Sequence, residues 1–97
     1  MSNKQSSENQ YNPFGDVELT FPLHCQHRVI GDADAGLGRR LEHTLAEFGF
    51  PENVRFNRHS TNGAYASYII EICYESRESM RAVTNALSSV KGVRIVV

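Results

Sequence analysis

Two stretches of this chain place apolar residues at helical spacing, and each carries a single narrow stripe. Leu37, Leu41, Leu45 and Phe48 recur at intervals of four, four and three, and Met80, Val83, Leu87 and Val90 at three, four and three. Arg39, Arg40, Glu42, His43 and Glu47 fall off the first stripe. A helix with one such stripe buries one face and leaves the rest to water. Around the two helices lie four stretches that alternate with period two: Leu23 to Ile30, Val54 to Asn57, Tyr65 to Tyr74 and Val93 to Val97. The order is strand, helix, strand, strand, helix, strand.

Two one-striped helices can cover only one face of a four-stranded sheet. Right-handed crossovers then select the split βαβ arrangement. The expected class is α+β: a ferredoxin-like βαββαβ sandwich with an antiparallel-type sheet of order 4-1-3-2 and both helices on one face. The first and third strands are expected at its centre, as parallel neighbours. The helix-facing core should be Cys25, Val29, Leu37, Leu41, Leu45, Phe48, Val54, Phe56, Tyr68, Ile70, Ile72, Met80, Val83, Leu87, Val90, Val93 and Ile95. The open face should carry Gln26, Arg28, Ile30, Arg55, Asn57, Tyr65, Ser67, Ile69, Glu71, Cys73, Arg94 and Val96. An uncovered face that mixes aliphatic side chains with arginines marks a partner surface. Arg28, Arg55, Tyr65, Ile69, Arg94 and Val96 are its candidate contact residues.

Local signals set the boundaries. Asp32-Ala33-Asp34 offers N-cap oxygens to the first helix and Ser76 to the second. Gly49 and Gly92 close them, with Phe50 folding back on the first helix. Ser60-Thr61-Asn62-Gly63 is a hairpin turn. Gly36 and Gly38 each weaken the first helical turn by about 1 kcal/mol relative to Ala, which suggests that the backbone needs access there.

Residues 1–16 show no apolar periodicity and read as a disordered tail, leaving residues 17–97 as one domain. With ten basic and eleven acidic side chains the formal charge is −1, which gives no long-range field to gather nucleic acid or an anionic membrane. No run of apolar residues is long enough to span a bilayer, and the N-terminus has no apolar secretory core. A cytoplasmic protein with two reduced thiols, Cys25 and Cys73, is expected. Alternation puts those thiols on opposite sheet faces, too badly aligned for a disulfide.

No catalytic constellation emerges. Cys25 and His27 share a face, but His24 points away, and a metal site needs more converging donors. A core-facing Cys25 is inert packing, and Glu71 on the face of Cys73 disfavours a thiolate there. The reading is therefore a non-enzyme without cofactor or metal. Acylphosphatase shares this fold and uses an Arg in the first loop with an Asn on the second strand. Asn57 could serve as the latter, but this loop holds Asp32 and Asp34, which repel phosphate, and Arg39 lies inside the helix. The RNA recognition motif shares the topology too and stacks bases on aromatics of the central strands. Here Tyr65 stands with Arg28, Arg55 and Arg94 but without a second aromatic, so RNA ranks below a protein partner or a second copy of the chain paired at a sheet edge.

Gly36-Leu37, Leu41, Leu45, Ala46-Glu47 and Gly49 fall at the spacings of the strand–loop–helix signature of ACT domains, with Ala35 where that signature has Pro. The resemblance implies a small-molecule-sensing module whose first loop and helix start line the ligand site. Carried over by position, Asp34 and Gly36 become the ligand-binding candidates, and the carboxylates suit an amine. A broader resemblance runs from Phe21 to Val97. Phe21-Pro22, Arg28-Val29-Ile30-Gly31, Gly63-Ala64-Tyr65-Ala66-Ser67 and Val93-Arg94-Ile95-Val96-Val97 are similar to the YbeD-like family of small bacterial proteins. That resemblance implies an ACT-like ferredoxin fold and a regulatory role linked to lipoate or another small metabolite.

Overall fold

A computed structural model describes residues 19–50 and 53–97; the tail expected over residues 1–16 lies outside them. The elements are β1 (Leu23–Asp32), α1 (Leu37–Ala46), β2 (Val54–His59), β3 (Tyr65–Tyr74), α2 (Arg77–Ser88) and β4 (Val93–Val96). The four strands form one sheet of order β2-β3-β1-β4, which is the expected order counted from its other edge.

All three strand pairings are antiparallel, including β1 with β3. The expectation of a parallel central pair is wrong for a geometric reason. A right-handed crossover through α1 makes β2 run with β1, and the hairpin then turns β3 back against both. Both helices lie on one face. Leu37, Leu41 and Leu45 of α1 and Val83 and Leu87 of α2 form one buried cluster with Val29, Tyr68, Ile70, Ile72 and Tyr74 of the central strands. Each helix therefore buries the stripe its sequence spacing defines.

The helix ends differ. Ser76 caps α2, its Oγ accepting the Ser79 amide at 3.1 Å. The N-cap of α1 is Gly36 and uses no side chain, so Asp34 is not the cap it was expected to be. At the other end of α1 the Phe50 amide donates to the Leu45 carbonyl and the Gly49 amide to that of Ala46, the paired bonds of a Schellman closure. Because α1 stops at Ala46, Phe48 falls in the closing turn and is exposed, and Phe50 packs on the core in its place. The glycine at position 38 lets α1 settle on the sheet: a β-carbon there would stand 3.1 Å from the Tyr68 ring.

Two register shifts reshape the outer strands. One, between Ile30 and Gly31, changes the phase of β4, so that Val96 opposes Val29 and Ile95 opposes Ile30. Val96 accordingly packs on the core while Ile95 is half exposed on the open face, which reverses the expected assignment of both. The other, between Phe56 and Arg58, leaves Asn57 as the extra residue of β2. Phe56 remains on the helix side, edge-on to Tyr68, but half exposed because β2 is an edge strand.

Candidate functional site

The candidate site is the sheet face that no helix covers. Its centre is set by register. Ile69 of β3 has Arg28 directly opposite on β1 and Arg55 directly opposite on β2. One step along, Ser67 opposes Ile30 and Arg58, and Ile30 opposes Ile95 of β4. Diagonal neighbours in an antiparallel pair lie roughly 7–8 Å apart, within reach of long side chains. Ile69, Ile30 and Ile95 thus form a diagonal apolar strip over three strands, flanked by Arg28, Arg55 and Arg58. Ile69 is only 6% exposed although no helix covers it. The two arginines opposed to it carry long aliphatic stems able to lie along apolar surface.

The two flanks of the strip are polar and internally paired. On one, Arg94 pairs with Asp32, Nε to Oδ1 at 2.9 Å, and Tyr65 stands opposite Asp32. On the other, Gln26 Nε2 donates to Glu71 at 2.8 Å. Asn57 donates to the Ser67 hydroxyl at 2.9 Å, so the amide that could have served an acylphosphatase-like reaction is engaged within the sheet. Among the described residues Arg28, Arg55 and Arg58 have no ion-pair partner. A depression of about 160 Å³ opens over Arg28, Ile30, Arg58, Tyr65 and Ser67.

Of the six contact candidates, the structure brings Arg28, Arg55 and Ile69 together in one cross-strand row, sets Tyr65 and Arg94 on either side of Asp32, and removes Val96 to the core. Ile95 and Arg58 belong to the face and escaped the sequence reading. A bulge at Asn57 or in β4 would have found them, but neither strand carries a glycine inside it to signal one.

The loop candidates lie elsewhere. Asp34 Oδ1 accepts the Gly36 amide at 2.8 Å, and Oδ2 meets Arg40 at 2.9 Å. These bonds hold its carboxyl below the ordinary carboxylate range. A carboxylate so engaged has less to offer an amine.

Burial disfavours the charged forms of Cys25 and His27. Burial, then the nearby Cys73 thiol, pushes Cys25 up, which keeps it protonated. Both cysteines are free, and their register partners, Ile72 for Cys25 and His24 for Cys73, place them on opposite faces. His27 is buried beside Tyr74, with Nε2 2.7 Å from the phenol oxygen and Nδ1 3.4 Å from the Val97 carbonyl. A neutral ring protonated on Nδ1 donates to that carbonyl and accepts from the Tyr74 hydroxyl. Burial lowers the His27 pKa from 6.5. A group that titrates lower when folded contributes stability above its unfolded pKa and loses it as pH falls from there through the folded value. The expected outcome is a urea midpoint that declines from pH 7 to pH 5, with a shallower decline in His27→Gln. Equal slopes in the two proteins would contradict the assignment.

Among the described residues no group of three or more His, Cys, Asp or Glu side chains could hold a metal ion, and no helix is long and apolar enough to cross a membrane. Comparison with known proteins agrees with the fold. The UPF0250 protein of Shewanella frigidimarina is 31% identical over 81 residues, spanning 84% of this chain and 92% of that protein. The solution structure of protein HP0495 from H. pylori superposes with a TM-score of 0.72 at 16% identity, over 84% of this chain and 88% of that one. The ACT domain from the GTP pyrophosphokinase of Chlorobium tepidum superposes with a TM-score of 0.59 at 17% identity, over 77% and 95%. The family described as "Protein of unknown function (DUF493)" matches residues 16–97, and the chain belongs to that family, the YbeD-like group its sequence resembles.

Proposed function

We propose that this chain is a regulatory interaction module without enzymatic activity of its own, and that it binds a partner protein on the open sheet face. The observation that carries the reading is the strip Ile69–Ile30–Ile95 with Arg28, Arg55 and Arg58 around it. An apolar centre within a polar, charged rim is the composition of a protein interface. The rim is cationic, so the complementary occupant is an acidic segment with apolar residues at its middle. A second copy docking the same face would oppose arginine to arginine, which disfavours face-to-face self-association. RNA is less well matched, since among the described residues Tyr65 is the face's one exposed Phe, Tyr or Trp side chain on the central strands. The ACT-like fold supports a regulatory setting. The lipoate link implied by family resemblance makes lipoate-handling proteins the first partners to examine.

The test places a photo-crosslinking amino acid at Ile95 in host cells, identifies the captured protein, and titrates it purified. Arg28→Glu and Arg55→Glu should each weaken binding by about tenfold or more, and wild-type binding should weaken as salt rises. Arg81→Glu on α2 should change nothing. Crosslinks to RNA or only to the chain itself, or an affinity indifferent to both reversals, would overturn the reading.

A further inference from the structure

On the helix side, α1 and the turn between α2 and β4 border an open, shallow groove of about 550 Å³ lined by Gly36, Arg39, Arg40, His43, Thr44 and Lys91. Arg40 is anchored at its head. Its Nε and Nη2 donate to the Lys91 carbonyl at 3.1 and 2.9 Å, and Nη2 also meets Asp34 at 2.9 Å. Two glycines make room for it. A β-carbon on Gly36 would stand 3.0 Å from Nη1, and one on Gly92 would stand 3.0 Å from Nη2. A guanidinium fixed on one edge, with Nη1 unpartnered among the described residues, is pre-organised to donate elsewhere.

The charge around it is lopsided. Arg39, Arg40 and Lys91 bring three fixed positive charges to the groove, against the single negative charge of Asp34, which is already bound to Arg40 and the Gly36 amide. Asp32, the other loop carboxylate, pairs with Arg94 on the far face of the sheet. The repulsion of anions that Asp32 and Asp34 suggest in the bare sequence is therefore neutralised in the fold.

We propose that this groove is a binding site for the phosphoryl group of a small molecule. Arg39, Arg40, His43 and Thr44 line it from α1, and Lys91 lines it from the turn. Arg and Lys donors brought together from two elements suit the multiple charge and several acceptor oxygens of a phosphoryl group. Val90 adds an apolar wall for an organic remainder. The site shares no residue with the open face and stands or falls independently of the partner reading.

The test is a titration of the ¹⁵N-labelled full chain with inorganic phosphate and with ribose 5-phosphate, against chloride at matched ionic strength. The expected result is saturable amide shifts confined to residues 36–44 and 90–92. Arg39→Gln and Lys91→Gln should each weaken half-saturation by about tenfold, one charge-assisted contact. Arg77→Gln, at the start of α2 and outside the groove, should leave it unchanged. Arg40 is kept, because it also ties the loop to the turn. Equal affinity for both ligands would make the phosphoryl group the whole determinant, and tighter binding of the ester would add the Val90 wall; either result supports the site. No saturation by either ligand up to about 10 mM, or saturation untouched by both Gln variants, would overturn it.

Discussion

Truncating Ile70 to Ala should lower the unfolding free energy by about 2–5 kcal/mol, the cost of deleting three buried carbons and leaving part of their space empty. Ile70 is fully buried on β3, one of the two central strands, with His27 opposite on β1 and Val54 opposite on β2. Neighbours on both sides leave it little room to collapse, which argues for the upper half of the range. A small domain has a total stability on the order of 5–15 kcal/mol, so the variant should sit near the edge of unfolding. The measurement is the urea midpoint at constant m-value, with Ile95→Ala as the comparison. Ile95 lies half exposed on the other face, and its loss should change stability by no more than about 0.5 kcal/mol. A loss below about 1 kcal/mol for Ile70→Ala would mean that the helices do not seal this face, and the distinction between covered and open faces would fail with it.

That distinction was legible in the residues because it depends on local periodicity. Leu37, Leu41 and Leu45 repeat every turn, Tyr68, Ile70 and Ile72 every second residue, and both sets lie in the core. Two single stripes on a four-strand order left one side of the sheet for both helices. The alternation of β3 likewise put Ile69 opposite Ile70, where the register places it. Phase was lost where a strand gains one residue. Val93-Arg94-Ile95-Val96 is apolar at three positions of four, so alternation fits either phase, and only the shift beside Gly31 decides that Ile95 faces outward. Arg58 was missed in the same way, behind the extra residue Asn57.

The site on the helix side was hidden for a different reason. Its donors come together only through the fold, since Arg40 reaches the Lys91 carbonyl 51 residues away. Nothing in the spacing of Gly36 or Gly92 tells that each makes room for one guanidinium. Asp34 shows the converse error. A carboxylate two residues before Gly36 looks like a helix cap, and it does accept the Gly36 amide, but its other oxygen is committed to Arg40 six residues on. Local sequence indicates that a polar atom needs a partner; the tertiary structure chooses which one.

Gly31→Ala should destabilise the chain by about 1–3 kcal/mol, the range for forcing a methyl into a filled interior. An opposing effect exists, because Ala restricts the unfolded chain and can return about 0.4–1 kcal/mol where the native backbone tolerates it. Geometry decides which wins. The added carbon would stand 2.5 Å from the Gly92 carbonyl oxygen and 2.7 Å from Leu37 Cδ2. The leucine tip can turn, but the carbonyl is backbone and accepts the Asp32 amide at 2.9 Å. Moving it means lengthening that bond and displacing Gly92, which sits against Arg40 Nη2. The variant should therefore show two changes together: a lower urea midpoint and weakened hydrogen-exchange protection of the Asp32 amide. A midpoint equal to wild type, with that amide still protected, would mean that β4 and its preceding turn can shift away from β1 without penalty. Close seating of Gly92 against Gly31 would then not be what holds the α2–β4 turn under Arg40.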